Sequence, residues 1–392
     1  MRYPLASSTW NEEEKIILHE VIESGNFTMG SQVKSFELDF ANHFNSKYSL
    51  MVNSGSSANL LMLQALRYSG YLKPDQDEII VPAVSWSTTY FPINQSGFKI
   101  IFVDINIDTF NIRIENIAKL ISKRTAAILA VNLLGEPSEL VELKKLCDQF
   151  GIILLEDNCE SMGSSIESKM SGTFGLMGSF STFYSHHICT MEGGVITTDD
   201  DKIYDILLSL RAHGWLRELK PKNSLYDKSD NGWQNSFTFI LPGYNLRPLE
   251  LEGAVGKIQL RKLPNFVQTR RDNAEYLIES LKDRNLPLHL QYSKFDSSWF
   301  GFGFLVKGNF EIDRDKLVQF LSYKGIDSRP IVAGNFTRNP VIKYLDYVIQ
   351  EPLHNADYLN DHGFFIGNHH YPIQDEILYF LDSLTHFMEI EL

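Results

Sequence analysis

Two adjacent histidines, His186 and His187, are the residues of this chain with the most suggestive chemistry. They lie between Ser181 and a turn at Glu192–Gly194. An imidazole titrates near neutral pH, so it can both take up and release a proton during a reaction. Unlike a lysine amine, it cannot hold an aldehyde covalently as a Schiff base. Neighbouring side chains of an extended segment point to opposite sides, so we expect only one histidine to act as a base.

A carboxylate follows a second informative stretch. Ile152–Glu156 is predicted as an apolar strand, and Asp157 comes directly after it. A buried carboxylate there could form a charge-assisted hydrogen bond with a protonated ring nitrogen, worth roughly 1.5–3 kcal/mol, and keep that ring electron-poor. The alternative is that Asp157 only caps the next helix. Trp86 offers a flat face for stacking such a ring, although a single tryptophan is more often part of a core.

The segment Asn53–Asn59 combines small and polar residues after a predicted strand and at the start of a predicted helix. Gly55 allows a tight turn, while the hydroxyls of Ser56 and Ser57 and the free N–H groups of the helix could hold a phosphate. A helix cap with no ligand is an equally typical reading of this pattern. Ser181, five residues before His186, is a further candidate for a phosphate contact.

The composition is that of an ordinary globular protein with 392 residues and a net charge of −13. This acidity argues against a nucleic-acid-binding surface. The three cysteines, Cys147, Cys159 and Cys189, contain no C-x-x-C pair, which favours buried thiols over disulfides or an iron–sulfur cluster, and we expect no metal. Residues 1–10 lack the apolar region of a secretory signal and no apolar run predicts a membrane span, so we expect a cytoplasmic protein.

Apolar segments rich in β-branched residues alternate with amphipathic ones through the first two thirds of the chain. The predicted strands are Tyr48–Val52, Glu78–Val84, Ile100–Ile105, Ala127–Leu134, Ile152–Glu156, Phe180–Tyr184 and Gly194–Thr198. This order predicts an α/β fold with a mostly parallel sheet flanked by helices, whose ligands gather at the carboxyl ends of the strands. After a long helix predicted from about Leu249 to Lys282, the pattern changes. We expect a large domain over residues 1–248 and a smaller α/β domain over 249–392.

Several of these motifs together resemble one family. The shared motifs are Ser54–Ser57, Trp86, Glu156-Asp157, Ser181, Glu192–Gly194 and Gly243-Tyr-Asn-Leu-Arg247. They are similar to those of the DegT-type sugar aminotransferases, which have the aspartate-aminotransferase-like fold, fold type I of the pyridoxal-phosphate enzymes. The resemblance runs nearly end to end. It implies a cofactor, pyridoxal or pyridoxamine 5′-phosphate, and a homodimer with shared active sites.

The resemblance also implies roles for individual residues. Asp157 would bind the pyridine nitrogen, Trp86 would stack on the ring, and three serines, Ser56, Ser57 and Ser181, would hold the phosphate. Asn245 would reach that phosphate from a second subunit. Arg247 is a candidate for a carboxylate or diphosphate contact, against the alternative of a surface ion pair, and His213 is a second candidate for contact with substrate. At two positions near the cofactor, Glu160 and Met191, the chain departs from the family pattern of glutamine and a small residue.

The largest departure is His186, which replaces the lysine that normally holds the cofactor. The resemblance therefore implies a non-covalently held cofactor and a dehydratase that removes the C3 hydroxyl of a nucleotide-linked 4-keto-6-deoxy sugar. The expected substrate is GDP-4-keto-6-deoxy-D-mannose, on the route to colitose of lipopolysaccharide O-antigen, and L-glutamate would regenerate the pyridoxamine form. One alternative is an aminotransferase using another lysine, but residues 171–201 contain none, and Lys169 and Lys202 have the wrong spacing. Another is a non-catalytic scaffold relative.

Overall fold

The computed structural model describes residues 1–228, 232–282, 284, 286–307 and 312–391. The strands are β1 (Tyr48–Val52), β2 (Glu78–Pro82), β3 (Lys99–Val103), β4 (Thr125–Val131), β5 (Ile153–Asp157), β6 (Ser165–Ile166), β7 (Lys169–Met170), β8 (Met177–Ser181), β9 (Gly194–Thr198), β10 (Leu288–Leu290), β11 (Gly301–Val306), β12 (Ser328–Arg329), β13 (Tyr347–Ile349) and β14 (Gly363–Gly367). The helices are α1 (Glu12–Ser24), α2 (Ser31–His43), α3 (Gly55–Tyr68), α4 (Ser87–Gln95), α5 (Ile117–Leu120), α6 (Leu140–Phe150), α7 (Asp201–Arg211), α8 (Gly232–Ser236), α9 (Glu250–Lys282), α10 (Arg314–Tyr323), α11 (His354–His362) and α12 (Gln374–Glu391). Short 3₁₀ segments occupy Leu133–Gly135, Leu216–Glu218, Phe336–Arg338 and Pro340–Tyr344.

The large sheet has eight strands in the order β1-β9-β8-β5-β4-β2-β3-β13. Only β9 runs antiparallel to its neighbours β1 and β8, and the remaining neighbouring pairs are parallel. Strands β2 and β4 are buried along their whole length, which is typical of parallel strands covered by helices on both faces. The mostly parallel sheet predicted from the sequence is therefore confirmed.

One predicted strand differs in position. The sequence predicted Phe180–Tyr184, whereas β8 ends at Ser181 and the chain then leaves the sheet. Two hydrogen bonds close the following loop at its base: Thr182 N–H donates to the Gly193 carbonyl at 2.9 Å, and Thr190 N–H donates to the Thr182 carbonyl at 2.9 Å. These two bonds join the ends of the loop to each other, so residues 182–184 do not continue strand β8. His186 therefore lies on a closed loop at the carboxyl end of β8.

A second sheet, antiparallel and in the order β10-β11-β14-β12, lies in the C-terminal part of the chain. Phe302, Phe304 and Phe364 from this sheet share an apolar core with residues of α10 and α12. The N-terminal segment joins the same core, because the Tyr3 hydroxyl donates to the Gly367 carbonyl at 2.7 Å. In the other direction, β13 completes the edge of the large sheet beside β3. A domain boundary at residue 248 remains a prediction.

No helix within the described ranges is long and apolar enough to cross a lipid bilayer.

Helix α9 connects the two sheets, and its first residue stabilises another helix. Gly30 precedes α2 and has no side chain that could cap it. The carboxylate of Glu250 takes this role, accepting hydrogen bonds from the N–H groups of Gly30 and Gln32, both at 2.7 Å, and of Val33 at 3.2 Å. A carboxylate at this end also interacts favourably with the helix dipole. The contact fixes α2 against the start of α9.

Replacing Glu250 with alanine should lower the free energy of unfolding by roughly 1.5–3 kcal/mol, because the first turn of α2 loses a charged acceptor for several N–H groups. Denaturant titration would measure the loss. Glu275→Ala, at an exposed position of the same helix, is the matched control and should change stability little. Equal effects of the two substitutions would show that the cap contributes nothing.

Candidate functional site

Asp157 ends β5, and its carboxylate is nearly buried, with 5% of the residue exposed. Two side chains donate to the same oxygen, Oδ2: Asn59 through Nδ2 and Thr89 through its hydroxyl, both at 2.8 Å. The other oxygen accepts the Cys159 N–H at 3.2 Å. In the described residues no helix begins between Asp157 and α7, so this carboxylate does not cap a helix. It is instead a fixed, buried acceptor at the carboxyl edge of the sheet.

Sequence reasoning did not find Asn59 or Thr89, although both hold Asp157. Asn59 is fixed in orientation because its Oδ1 accepts the Ser179 hydroxyl at 2.6 Å, which leaves Nδ2 to donate. The Ser85 and Thr89 hydroxyls are 2.7 Å apart. The sequence did carry one signal for Asn59, because it is a polar residue at the start of the largely apolar run of α3. Buried polar groups are normally hydrogen-bonded, so such a residue predicts an internal partner.

His186 is partly exposed, and its ring is close to the turn that follows Asp157. Its Nδ1 lies 2.8 Å from the carbonyl oxygen of Cys159. Because a carbonyl can only accept, Nδ1 carries the hydrogen and Nε2 keeps its lone pair. The ring packs against Phe300, with 5.2 Å between centroids. Burial lowers the pKa of His186 to about 4. At neutral pH the imidazole is therefore an uncharged base with a defined free nitrogen.

His187 has a different environment. It is fully buried, and its Nε2 lies 3.1 Å from the Ser298 carbonyl. Burial and the nearby Arg270 guanidinium hold the pKa of His187 well below its ordinary value. Its ring therefore packs inside the protein as a neutral group, as expected if only one of the two histidines serves as the base.

The segment that could cradle a phosphate begins α3. The Ser54 hydroxyl caps this helix by accepting the Ser57 N–H at 3.0 Å. Gly55 lies directly against Ser181, because a Cβ atom built on Gly55 would be 2.7 Å from the Ser181 Cβ. The Ser56 hydroxyl is exposed and donates to Thr88 at 2.9 Å. The structure thus brings the start of α3 and the end of β8 together, as the phosphate prediction requires.

Trp86 and Glu160 lie at the same edge of the sheet. Trp86 precedes α4 and is 57% exposed, so one aromatic face is available at the carboxyl end of β2. Glu160 accepts the Leu134 N–H at 3.2 Å. Burial, supported by the nearby Asp157, raises the pKa of Glu160 to about 7. Met191, the other departure from the family pattern, has a left-handed backbone with φ of 76°.

Three predicted residues form a separate group. Asn245 is exposed and accepts a hydrogen bond from Arg247 Nε at 3.0 Å. His213 packs edge-on against Trp215, with 4.6 Å between ring centroids, and the Arg247 guanidinium lies 5.9 Å from the same indole. Within the described part of this chain, none of the three is hydrogen-bonded to Asp157 or His186. Direct contacts within one chain thus connect Asp157, His186 and the phosphate segment, whereas Arg247 contacts Asn245 and both Arg247 and His213 lie beside Trp215.

The two lysines nearest in sequence to the histidine pair are engaged elsewhere. The ammonium group of Lys169 lies 4.6 Å from the centre of the Phe174 ring, and that of Lys202 lies 5.3 Å from the centre of the Tyr71 ring. Lys169 is on β7, outside the large sheet, and Lys202 is on α7. Neither takes the position of His186.

The chain matches the DegT/DnrJ/EryC1/StrS aminotransferase family over residues 8–383 and belongs to that family. It is 52% identical to GDP-4-keto-6-deoxy-D-mannose 3-dehydratase of Escherichia coli O55:H7, covering 98% of this chain and 100% of the relative. It is 49% identical to the enzyme of the same name from Yersinia pseudotuberculosis, covering 96% of each.

A solved structure of GDP-4-keto-6-deoxymannose-3-dehydratase with a trapped PLP–glutamate geminal diamine superposes with a TM-score of 0.95. It is 52% identical to this chain and covers 98% of this chain and 100% of its own. The predicted fold, that of the fold-type-I pyridoxal-phosphate enzymes, is confirmed.

The pKa of Glu160 allows a test of the site through pH. The folded value of about 7 lies above the ordinary value of 4.5. The stabilising contribution of the protonated carboxyl is therefore complete below pH 4.5 and is lost as the pH rises to about 7. Glu160→Gln keeps the shape and cannot ionise. Relative to the unchanged protein, this variant should unfold at a higher temperature near pH 8, with a smaller difference near pH 5. If the difference in unfolding temperature did not change with pH, the raised pKa of this carboxyl would be contradicted.

Proposed function

We propose that this protein is a pyridoxal/pyridoxamine-phosphate-dependent dehydratase that removes the C3 hydroxyl of GDP-4-keto-6-deoxy-D-mannose, giving the 3,6-dideoxy-4-keto sugar. The observation that carries the proposal is His186: a neutral imidazole with a free Nε2 beside Asp157. The similarity to two enzymes of this name over nearly the whole chain supports the substrate. L-glutamate is the amino donor, as the relative trapped with a PLP–glutamate adduct suggests.

The residues present fit the cofactor. Asp157 is a buried carboxylate that Asn59 and Thr89 hold in one orientation, which suits a protonated pyridine nitrogen. Ser56, Ser57 and Ser181 lie at the helix start and strand end that suit a phosphate, and Trp86 offers its exposed face to the ring. Glu160 lies on the same turn as Asp157. When bound, the cofactor supplies an amine that condenses with the C4 ketone and a ring that accepts electron density.

His186 would transfer the proton that elimination requires. Its Nε2 has a free lone pair because Nδ1–H donates to the Cys159 carbonyl. In the first step of the elimination, this nitrogen would accept a proton. The resulting imidazolium then gives this proton to the departing C3 hydroxyl, which leaves as water. A single group can do both because imidazole gains and loses a proton readily, and such transfer contributes typically about 10²–10⁴-fold. A lysine would instead bind the cofactor covalently, so its absence favours dehydration over amino transfer.

Replacing His186 with asparagine should therefore abolish elimination, with kcat lowered by at least about 10²-fold, while cofactor binding, followed by its absorbance, stays intact. The assay incubates the enzyme with cofactor, glutamate and GDP-4-keto-6-deoxy-D-mannose and determines the product mass. A loss of the hydroxyl is expected, and a gain of an amine would indicate an aminotransferase instead. His19→Asn, on the exposed face of α1, is the control.

Borohydride treatment tests the cofactor linkage separately, because it should attach no cofactor to the polypeptide. Covalent attachment to any side chain would contradict the proposal. No reaction of the unchanged enzyme with a panel of GDP-, CDP- and dTDP-linked 4-keto sugars would favour a non-catalytic relative.

The separate group around Asn245 supports a homodimer with shared sites. Asn245 is exposed, and its segment is joined to the segment before α3 because the Asn53 N–H donates to the Leu246 carbonyl at 3.1 Å. In this arrangement Asn245 would reach the phosphate of the partner's cofactor, while Arg247 and His213 would contact substrate. A cytoplasmic location fits the free thiols of this chain.

Mixing two inactive variants tests the shared site. If Asn245 serves the partner, a dimer of His186→Asn and Asn245→Ala chains contains one intact site. Random reassociation should then restore about one quarter of the unchanged activity per chain, since about half of the dimers are mixed and each has one working site. No recovery, with dimers verified by sedimentation, would place Asn245 in the site of its own chain, and an active Asn245→Ala variant would place it outside both sites.

A further inference from the structure

The loop from Thr182 to Gly193, called here the histidine loop, has its base closed by its own backbone. The part of the loop after His186 is held by side chains that lie outside the loop. Both main-chain groups of Cys189 bond to side chains distant in sequence: the N–H donates to Gln259 Oε1 at 3.0 Å, and the carbonyl accepts from the Trp10 indole N–H at 2.9 Å. Cys189 follows His186 by three residues.

Gln259 is fully buried on α9, and every hydrogen-bonding position of its side-chain amide is occupied. Oε1 also accepts the Thr9 hydroxyl at 2.6 Å, while Nε2 donates to the Thr9 carbonyl at 3.2 Å and to Glu14 Oε1 at 2.6 Å. Lys262 donates to the same Glu14 oxygen at 2.7 Å. Two acceptor and two donor positions are all that a glutamine side chain offers. Its orientation is therefore fixed, and with it the contact to Cys189.

The segment that supplies Thr9 and Trp10 is itself attached to the small sheet. Tyr3 bonds to Gly367 at the end of β14. His369, two residues further on, lies 2.9 Å from both the Pro4 carbonyl, through Nε2, and the Ser7 hydroxyl, through Nδ1. The N-terminal segment thus forms a continuous hydrogen-bonded connection from the C-terminal sheet to the histidine loop.

We propose that Gln259, Thr9 and Trp10 are positioning residues that hold the histidine loop through Cys189 and so keep the His186 imidazole in place for proton transfer. The inference rests on the proposed role of His186 as the base. Among the described residues, the His186 ring has one hydrogen bond, to the Cys159 carbonyl, so its placement also depends on the backbone that carries it. A displacement of about 1 Å at a reacting group can cost about 10²-fold in rate.

The test compares Trp10→Phe and Gln259→Met with Gln76→Met in the cofactor-loaded enzyme. Phenylalanine keeps an aromatic ring and removes the indole N–H, and methionine keeps the length of glutamine without its amide. Gln76 is a matched control because it is also buried and bonded, to the Thr125 carbonyl and the Lys73 N–H, at the start of β2. The first two variants should lower kcat about 10- to 100-fold, with KM and cofactor affinity unchanged. Gln76→Met should keep kcat even if its melting temperature falls.

Hydrogen exchange measured by mass spectrometry gives a second result that does not need turnover. Peptides covering residues 182–193 should exchange faster in Trp10→Phe and Gln259→Met than in the control. Thr9→Val, which removes one hydroxyl, serves if Gln259→Met does not fold, and should show the same changes to a smaller degree. Unchanged kcat and unchanged exchange, or equal losses in Gln76→Met, would overturn the inference. If the unchanged enzyme does not dehydrate the sugar, the proposed function fails, while the exchange result still decides whether these side chains hold the loop.

Discussion

The hydrogen bond from His186 Nδ1–H to the Cys159 carbonyl is the interaction on which the rest of the site depends. It selects one tautomer, and with it the nitrogen that can accept a proton. It also joins two segments at the carboxyl end of the sheet: the end of β5 with the turn that follows, which carries Asp157 and Cys159, and the loop after β8, which carries His186. A base and a carboxylate that are 29 residues apart in sequence thereby belong to one rigid group.

Residues 157–160, at the end of β5 and in the turn that follows, have several roles in the site. Asp157 presents a carboxylate, and Cys159 uses its carbonyl to orient the base. Glu160 provides a second carboxyl, and burial raises its pKa to about 7, so it stays mostly protonated only in acidic solution. His186 is uncharged for the same reason, because burial lowers its pKa to about 4. Burial thus disfavours the charged form of both the base and the second carboxyl. The hydrogen bonds from Asn59 and Thr89 offset part of this cost for Asp157.

The supports of the site come from the whole length of the chain. The N-terminal segment and α9 bond directly to the histidine loop, the small sheet holds the N-terminal segment, and β13 from the C-terminal part completes the large sheet. The site therefore depends on segments from both sides of the predicted boundary at residue 248. Helix α9 contributes twice within its first ten residues, through the Glu250 cap of α2 and through Gln259.

The sequence by itself determined the alternation of strands and helices and the polar residues at strand ends, because these depend on local periodicity and residue type. It also determined Asp157, Trp86, Ser181 and the serines of α3 as candidates. The histidine in place of a lysine followed from the resemblance of the chain's motifs to those of the family. Only the tertiary structure decided that His186 is partly exposed beside the turn after Asp157 whereas His187 is fully buried. It also decided that Asn59 and Thr89 hold Asp157, and that Gln259 and Trp10 hold the loop. The contacts that hold Asp157 and the loop join residues from 68 to 179 positions apart. Local patterns carry no information about which distant donor meets which acceptor, because packing of the elements settles that.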